Sequence, residues 1–450
     1  MMEEEFITKM SETLQKVNAI DEELYEQYNV KRGLRNKDFT GVLAGLTNIG
    51  EVTGYKLVDN KPAPVDGKLF YRGLDTNKLA NGFWNEKRFG FDETVFLLLF
   101  GKLPSKEELE KFSSVLAQSR DLPDNFTEDM ILKIKGKDIM NMLARCTLAL
   151  YALDDKADDT TVANVLKQSI NLIAQFPTII AYSYHSMNHY YKRKHLVIRH
   201  PKLKLSTAEN FLYMLKGRNK YSPLEARLLD LVLVLHAEHG GGNNSSFTMR
   251  VVSSSGTDTY SAMAAALGAL KGPLHGGANQ KVPVMMKEIK ENVRDLKSEE
   301  EISNYLVKIL KKEAFDGTGK IYGFGHAVYT ISDPRAVILK EKAMELAKEK
   351  SCMEDFEFYK RVEKLAPVVF AKFKGAGKKI CTNVDFYSGF VGDCIGMTRE
   401  LYTPLFAMSR ISGFCAHRLE ELSCEKRKLI RPAFKNVCSK KEYVALNKRD

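Results

Sequence analysis

Four short stretches of the 450-residue chain collect side chains suited to moving protons. "LHAEHGGGNNSS" (235–246), "GPLHGGANQ" (272–280) and "GTGKIYGFGHAV" (317–328) set His236, His239, His275 and His326 in or beside glycine-rich sequence. Glycine weakens a helix and proline breaks it, so such clusters belong where something must come close to the backbone. "CTNVDFYSG" (381–389) places Asp385 between apolar and aromatic neighbours and ahead of a glycine. A carboxylate in those surroundings sheds water, which raises its pKa and makes it a better base. One glycine-flanked histidine alone reads as structural. Three such segments together with a poised carboxylate point to acid–base catalysis.

Other patterns carry less. His236 and His239 stand one helical turn apart, but "HAEH" is not the H-E-x-x-H of a zinc protease and the spacing offers no third ligand, so no metal is expected. His236 closes the apolar run "LDLVLVL" and reads as a hydrogen-bonded core histidine. "YHSMNHYYKRKHLVIRH" (184–200) is basic and aromatic and reads as a surface or interface helix. "KGAGKKI" (374–380) lacks the first glycine and the hydroxyl residue of a Walker A loop, "GTGKIYG" fails G-x-G-x-x-G, and no G-x-S-x-G elbow occurs. The seven cysteines include no C-x-x-C pair, the pattern of a reduced compartment in which thiols serve as small buried hydrophobes.

The elements that must position these groups are mainly helical. In "EEISNYLVKILKKEA" (300–314), Ile302, Tyr305, Leu306, Ile309 and Leu310 form one apolar stripe. Residues 334–350 read as a helix with proline in its first turn, and 355–373 as a helix interrupted at Pro367. Residues 92–117 read as two helices split by "GKLPSKEE", with Ser105 and Glu108 at capping-box spacing. The few strand signals, 54–58 and 68–73, flank the turn-rich "DNKPAPVDG" as a small hairpin. The length allows two or three domains, yet no long linker separates them. A second domain would therefore be an insertion, with the chain crossing a hinge twice.

Composition bounds the rest. Hydrophobic residues at 44% and charged residues at 28% are ordinary for a globular protein. The net charge of +11 favours anionic partners, with the basic residues interspersed with acids along helical stretches rather than gathered in a stripe. A small polyanion fits that charge as well as nucleic acid does. The longest apolar runs are too short to span a bilayer, and the acidic start "MMEEEF" resembles neither a signal nor a transit peptide, so a cytoplasmic protein is expected.

At these residues the chain resembles the citrate synthase family. "LHAEHGGGNNSS", "GPLHGGANQ", "GFGHAVYTISDPRA", "NVDFYSG" and "PLFAMSRISGFCAHRLEE" follow the family's pattern in the family's order. "FYRGLDTNKLA" with "VFLLLFGKLPS" matches its N-terminal half and "LIRP" its tail, so the likeness runs from about residue 40 to the end. It implies an all-α, two-domain fold with a small β-hairpin, in a homodimer. The large domain would be 1–275 completed by 391–450, and 276–390 the small inserted domain that closes over the substrates.

The resemblance also implies roles. The reaction condenses acetyl-CoA with oxaloacetate and water; 2-methylcitrate synthase, which uses propionyl-CoA, shares the machinery. Asp385 matches the base, His275 the group that holds the enol or enolate oxygen, and His326 the group that polarises the ketone. Arg335, Arg410 and Arg431 match the carboxylate forks, with His239 assisting and Arg431 reaching the partner subunit's site. Lys320, Ile321, Tyr322, Gly323, Phe324, Gly325 and Asn383 match the coenzyme A contacts. Neither metal nor cofactor is implied, acetyl-CoA being a substrate, and nucleic acid and membrane are not expected partners. After "GHAVY" the family usually carries a basic residue near the coenzyme A phosphates, where this chain has Thr330. Outside enzymes, a non-catalytic helical protein that binds polyanions would explain the charge but not the histidine and aspartate segments.

Overall fold

The helical periodicity of the sequence is realised as seventeen α-helices in the computed structural model, which describes residues 2–38, 40–59, 61–375 and 379–449. The middle of "KGAGKKI", 376–378, thus lies outside the described residues. At the centre runs Tyr402–Leu422, buried at every position from Tyr402 to Leu419. It packs against Val162–Lys192, Pro223–His236, Asn244–Ser253 and Phe91–Phe100. A helix enclosed on all sides has no solvent face, so its polar residues must find partners within the protein. Arg410 is one of them.

Caps fix where the elements begin. Ser105 and Glu108 form the expected capping box, which starts Lys106–Gln118 after Phe91–Phe100 has ended at Gly101, in a left-handed conformation. Ser222 and Glu225 form another at the start of Pro223–His236, which delivers His236 and the 237–243 loop to the core. Asp333 caps Pro334–Glu349, and Asn383 caps Val384–Cys394. The segment from 276 to 390 holds a short turn, Gly276–Gln280, and five helices: Lys281–Asn292, Glu299–Leu310, Pro334–Glu349, Met353–Lys374 and Val384–Cys394. Pro334–Glu349 packs against both Met353–Lys374 and Val384–Cys394, and also rests on Pro223–His236 and the sheet.

Three expectations need correction. Pro367 does not interrupt its helix: Met353–Lys374 is continuous, and buried Phe356, Phe358, Tyr359, Val362, Leu365, Ala366 and Val369 offset the ~3 kcal/mol that an interior proline costs. The hairpin has a shorter turn than read, because β2 (Lys61–Tyr71) runs back through most of "DNKPAPVDG" to pair with β1 (Gly50–Val58). Pro62 and Pro64 are tolerated there since the third strand, β3 (Leu74–Asp75), pairs only with Phe70 and Tyr71 and leaves their edge free. The basic stretch 184–200 is not one surface helix either. Helix Val162–Lys192 ends at Arg193, and His185 is buried, its Nε2 3.0 Å from the Met214 carbonyl. No helix among the described residues is long and apolar enough to cross a membrane.

Candidate active site

The 237–243 loop and the His326 loop meet edge to face. The His239 ring lies 4.9 Å from His326 and 5.5 Å from Tyr329, and His326 stacks on Tyr329 at 4.6 Å. The amides of Val328 and Tyr329 both donate to His326 Nδ1, at 3.0 and 3.1 Å. A nitrogen that accepts two N–H groups carries no proton, so the neutral ring keeps its proton on Nε2. His236 is the core histidine expected, with Nδ1 2.9 Å from the Val232 carbonyl. No group of three or more metal-ligating side chains occurs among the described residues.

Two guanidiniums flank these rings. Arg335, almost wholly buried, forks onto Asp333 through Nε at 3.0 Å and Nη2 at 2.7 Å. Asp333 also accepts the Val384 amide at 3.2 Å, tying Arg335 to the helix that bears Asp385. Arg410 donates through Nε to the His236 carbonyl at 2.7 Å and through Nη1 to Asn243 Oδ1 at 3.1 Å. Its Nη2 is buried without a protein partner, as is His239 Nε2.

His275 joins the same network. Its Nε2 lies 2.8 Å from Ser245 Oγ, which is itself 3.1 Å from the Asn243 Oδ1 that Arg410 grips. The Gly276–Gln280 turn that follows His275 packs against Val384–Cys394. Asp385 sits in the first turn of that helix, its amide capped by Asn383 Oδ1 at 3.1 Å.

Burial sets the protonation states. It pushes His275 and His326 down to about 4 and His239 well below its ordinary value, reinforced by Arg410 at His275 and chiefly by Arg335 at the other two. All three imidazoles are therefore neutral at pH 7. Burial raises the Asp385 carboxyl to about 6, with Arg335 and Arg410 pulling it back. Burial also lowers Arg410, only to about 10, so it stays charged.

The glycine loop is clamped to the segment before Asp385. Phe324 bridges Thr382, the Gly325 amide donates to the Cys381 carbonyl at 2.8 Å, and the Asn383 amide donates to Gly323 O at 2.9 Å. Asn383 Nδ2 reaches Gly325 O at 3.1 Å, so this side chain holds the loop as well as capping the helix. Gly323 and Gly325 both adopt left-handed φ, near 82° and 83°. Lys320 is exposed, Ile321 buried, and the Tyr322 hydroxyl donates to Asp316 at 2.8 Å. Thr330 Oγ1 is buried without a protein partner. Arg431 stands apart, exposed on the extended C-terminal tail, and makes no hydrogen bond or ion pair with the cluster among the described residues.

Sequence reading missed Ser245, Asn243, Asp333 and Tyr329 as site residues. All four lie within the stretches that drew attention to the histidines and arginines, and only the fold shows which of them turn inward.

A helical scaffold that gathers two buried guanidiniums, three neutral imidazoles and a carboxylate of raised pKa defines an acid–base enzyme for an anionic substrate. Comparisons with known proteins make the class specific. The sequence model described as citrate synthase, C-terminal domain, matches residues 38–433. Citrate synthase of Deinococcus radiodurans is 40% identical over 349 residues, 78% of this chain and 85% of that protein. That of Haloferax volcanii is 36% identical over 388 residues, 84% and 93%. The solved citrate synthase of Thermotoga maritima aligns with a TM-score of 0.72 at 33% identity, over 94% of this chain and 99% of that one. The ternary complex of Thermoplasma acidophilum citrate synthase with carboxymethyl coenzyme A and oxaloacetate aligns with a TM-score of 0.76 at 26% identity, over 93% and 99%. The chain belongs to the citrate synthase family.

Proposed function

We propose that this enzyme condenses acetyl-CoA with oxaloacetate and water to give citrate and CoA. The observation that carries the reading is the pairing of two buried polar atoms without protein partners, Arg410 Nη2 and His239 Nε2, with the raised carboxyl of Asp385. Unpaired buried donors are costly, and an oxaloacetate carboxylate supplies the acceptors they lack. Arg335 and Arg410 hold the dianion, and His326 Nε2–H points its proton at the ketone oxygen. Asp385 takes a proton from the thioester methyl. His275, neutral and a donor at Nδ1 once the Ser245 hydroxyl swings its one O–H from Asn243 Oδ1 to hydrogen-bond Nε2, holds the enol or enolate oxygen. The methyl carbon attacks the ketone carbon, the developing alkoxide takes the Nε2 proton of His326, and the proton that Asp385 removed from the methyl is returned to the ring through water. Water then cleaves the citryl thioester and releases CoA.

The 276–390 segment acts as the lobe that closes over both substrates, with the 320–325 loop and Asn383 bordering coenzyme A. A homodimer completes the site. Arg431 is exposed and unattached in its own chain, beside exposed apolar tail residues such as Phe434, 94% exposed, that a second copy would cover. The polyanion-binding alternative is set aside by family membership, and the relatives named above are citrate synthases rather than 2-methylcitrate synthases.

The test is release of free thiol with oxaloacetate, run in parallel with acetyl-CoA and propionyl-CoA. Turnover favouring acetyl-CoA is expected. No thiol from either donor overturns the enzyme, and a preference for propionyl-CoA overturns the substrate.

A further inference from the structure

The β1–β2 hairpin takes no part in the chemistry above, yet it presses on the backbone immediately after His326. A Cβ built on Gly54 would stand less than 3.0 Å from the Val328 carbonyl oxygen and 2.9 Å from its carbon. One built on Gly67 would stand less than 3.0 Å from the Ser332 carbonyl oxygen and 2.7 Å from Tyr329 Cδ1. These obstacles are main chain or a packed ring, not the free end of a flexible side chain. Neither glycine adopts a left-handed φ, so the conformation itself does not call for glycine. Only the close approach does.

Hydrogen bonds fasten the same contact. The Gly67 amide donates to Ser332 O at 3.2 Å, Ser332 Oγ donates to Asp66 at 2.9 Å, and Tyr329 OH donates to Lys68 O at 3.3 Å. The gripped residues include Val328 and Tyr329, whose amides hold His326 Nδ1, and Tyr329, whose ring stacks on His326.

Resting on the function read above, we propose that Gly54 and Gly67 are positioning residues: the hairpin's contact with 328–332 fixes the tautomer and ring plane of His326, and with them the polarisation of the oxaloacetate ketone. A methyl group at either glycine displaces the loop, loosens the two hydrogen bonds that the amides donate to Nδ1 and turns the Nε2 proton away from the ketone.

The experiment compares Gly54→Ala and Gly67→Ala with Gly82→Ala, a helical glycine with open space around its Cβ position. The readouts are kcat, both KM values, oxaloacetate affinity by calorimetry, and the infrared stretch of the 13C-labelled ketone of bound oxaloacetate, which falls as the carbonyl is polarised. Displacement of about 1 Å costs on the order of 100-fold in rate, so the two hairpin variants should lose about that much kcat. Their ketone stretch should move back toward the free value, with oxaloacetate affinity and the acetyl-CoA KM changed far less. Gly82→Ala should match the parent. A parental kcat and stretch in Gly54→Ala and Gly67→Ala overturns the proposal. Should both misfold, Ser332→Ala decides, since it removes the tie to Asp66 without adding bulk: a partial shift of the stretch supports the proposal and an unmoved one overturns it. Parent enzyme that neither binds oxaloacetate nor releases thiol would sink the function instead.

Discussion

Arg410 lies in the middle of a helix buried from Tyr402 to Leu419, and its guanidinium is braced by the His236 carbonyl and Asn243. His326 and Asp385 have a different setting. One sits on a loop shaped by two left-handed glycines and the other in the first turn of a helix, and both belong to the 276–390 segment. One of the two guanidiniums proposed to anchor charge is thus built into an enclosed helix, while His326 and Asp385 ride on a loop and a helix end. Fixed dipoles and charges stabilise a transition state best when they need no rearrangement. A group on a loop or a helix end depends instead on the neighbours that hold it in place. The contrast predicts that substitutions in the two regions fail in different ways.

The largest effect should come from the side built on a loop and a helix end. Asp385→Asn removes the base, and kcat should fall on the order of 1000-fold. Oxaloacetate affinity by calorimetry should stay near the parent's, and deuterium exchange from the acetyl-CoA methyl should vanish. Stability should not suffer. The folded pKa of Asp385 is raised from 3.8 to about 6, so the cost of its charge to folding builds as pH rises between those values and is present in full above them. At pH 8 the amide should therefore leave Tm equal or higher. Near-parental turnover would remove Asp385 as the base and erase the contrast.

Arg410→Lys should do the reverse. Lysine cannot reproduce the fork, so the oxaloacetate KM should rise roughly 10- to 100-fold, kcat at saturation should fall less, and Tm should drop because the His236 carbonyl and Asn243 lose their partner inside the core. A variant with unchanged Tm and KM would show that this helix anchors nothing.

What the sequence revealed follows the same division. His275, His326 and Asp385 were legible because glycines and an apolar neighbourhood punctuate them, and the Ser105–Glu108 box because capping is a local matter of spacing. The chain from His275 through Ser245 and Asn243 to Arg410 was not, since Arg410 is far from the others in sequence and joins them only when helices pack. Pro367 and the hairpin prolines misled for a related reason. Local propensity argues for a break, while burial on one face and an unpaired sheet edge, both tertiary facts, decide otherwise. Gly54 and Gly67 looked like ordinary strand and turn glycines until the segment 328–332 came against them.

The smallest effect sharpens the comparison by titration. Asp385 must be unprotonated to act, so a carboxyl raised to about 6 makes activity fail at a higher pH than an ordinary aspartate would. His275 and His326, held down to about 4, remain neutral throughout that range and contribute no limb of their own. The profile of kcat/KM for acetyl-CoA, which reports the free enzyme, should therefore show a single acid limb, half-lost near pH 6 and falling about tenfold per unit below it. Arg335 contributes most to pulling that carboxyl back down, so Arg335→Gln should move the midpoint upward even where residual activity is low. A limb centred near 4 would mean that Asp385 stays wet during turnover, and that the site does not enclose its base as this structure has it.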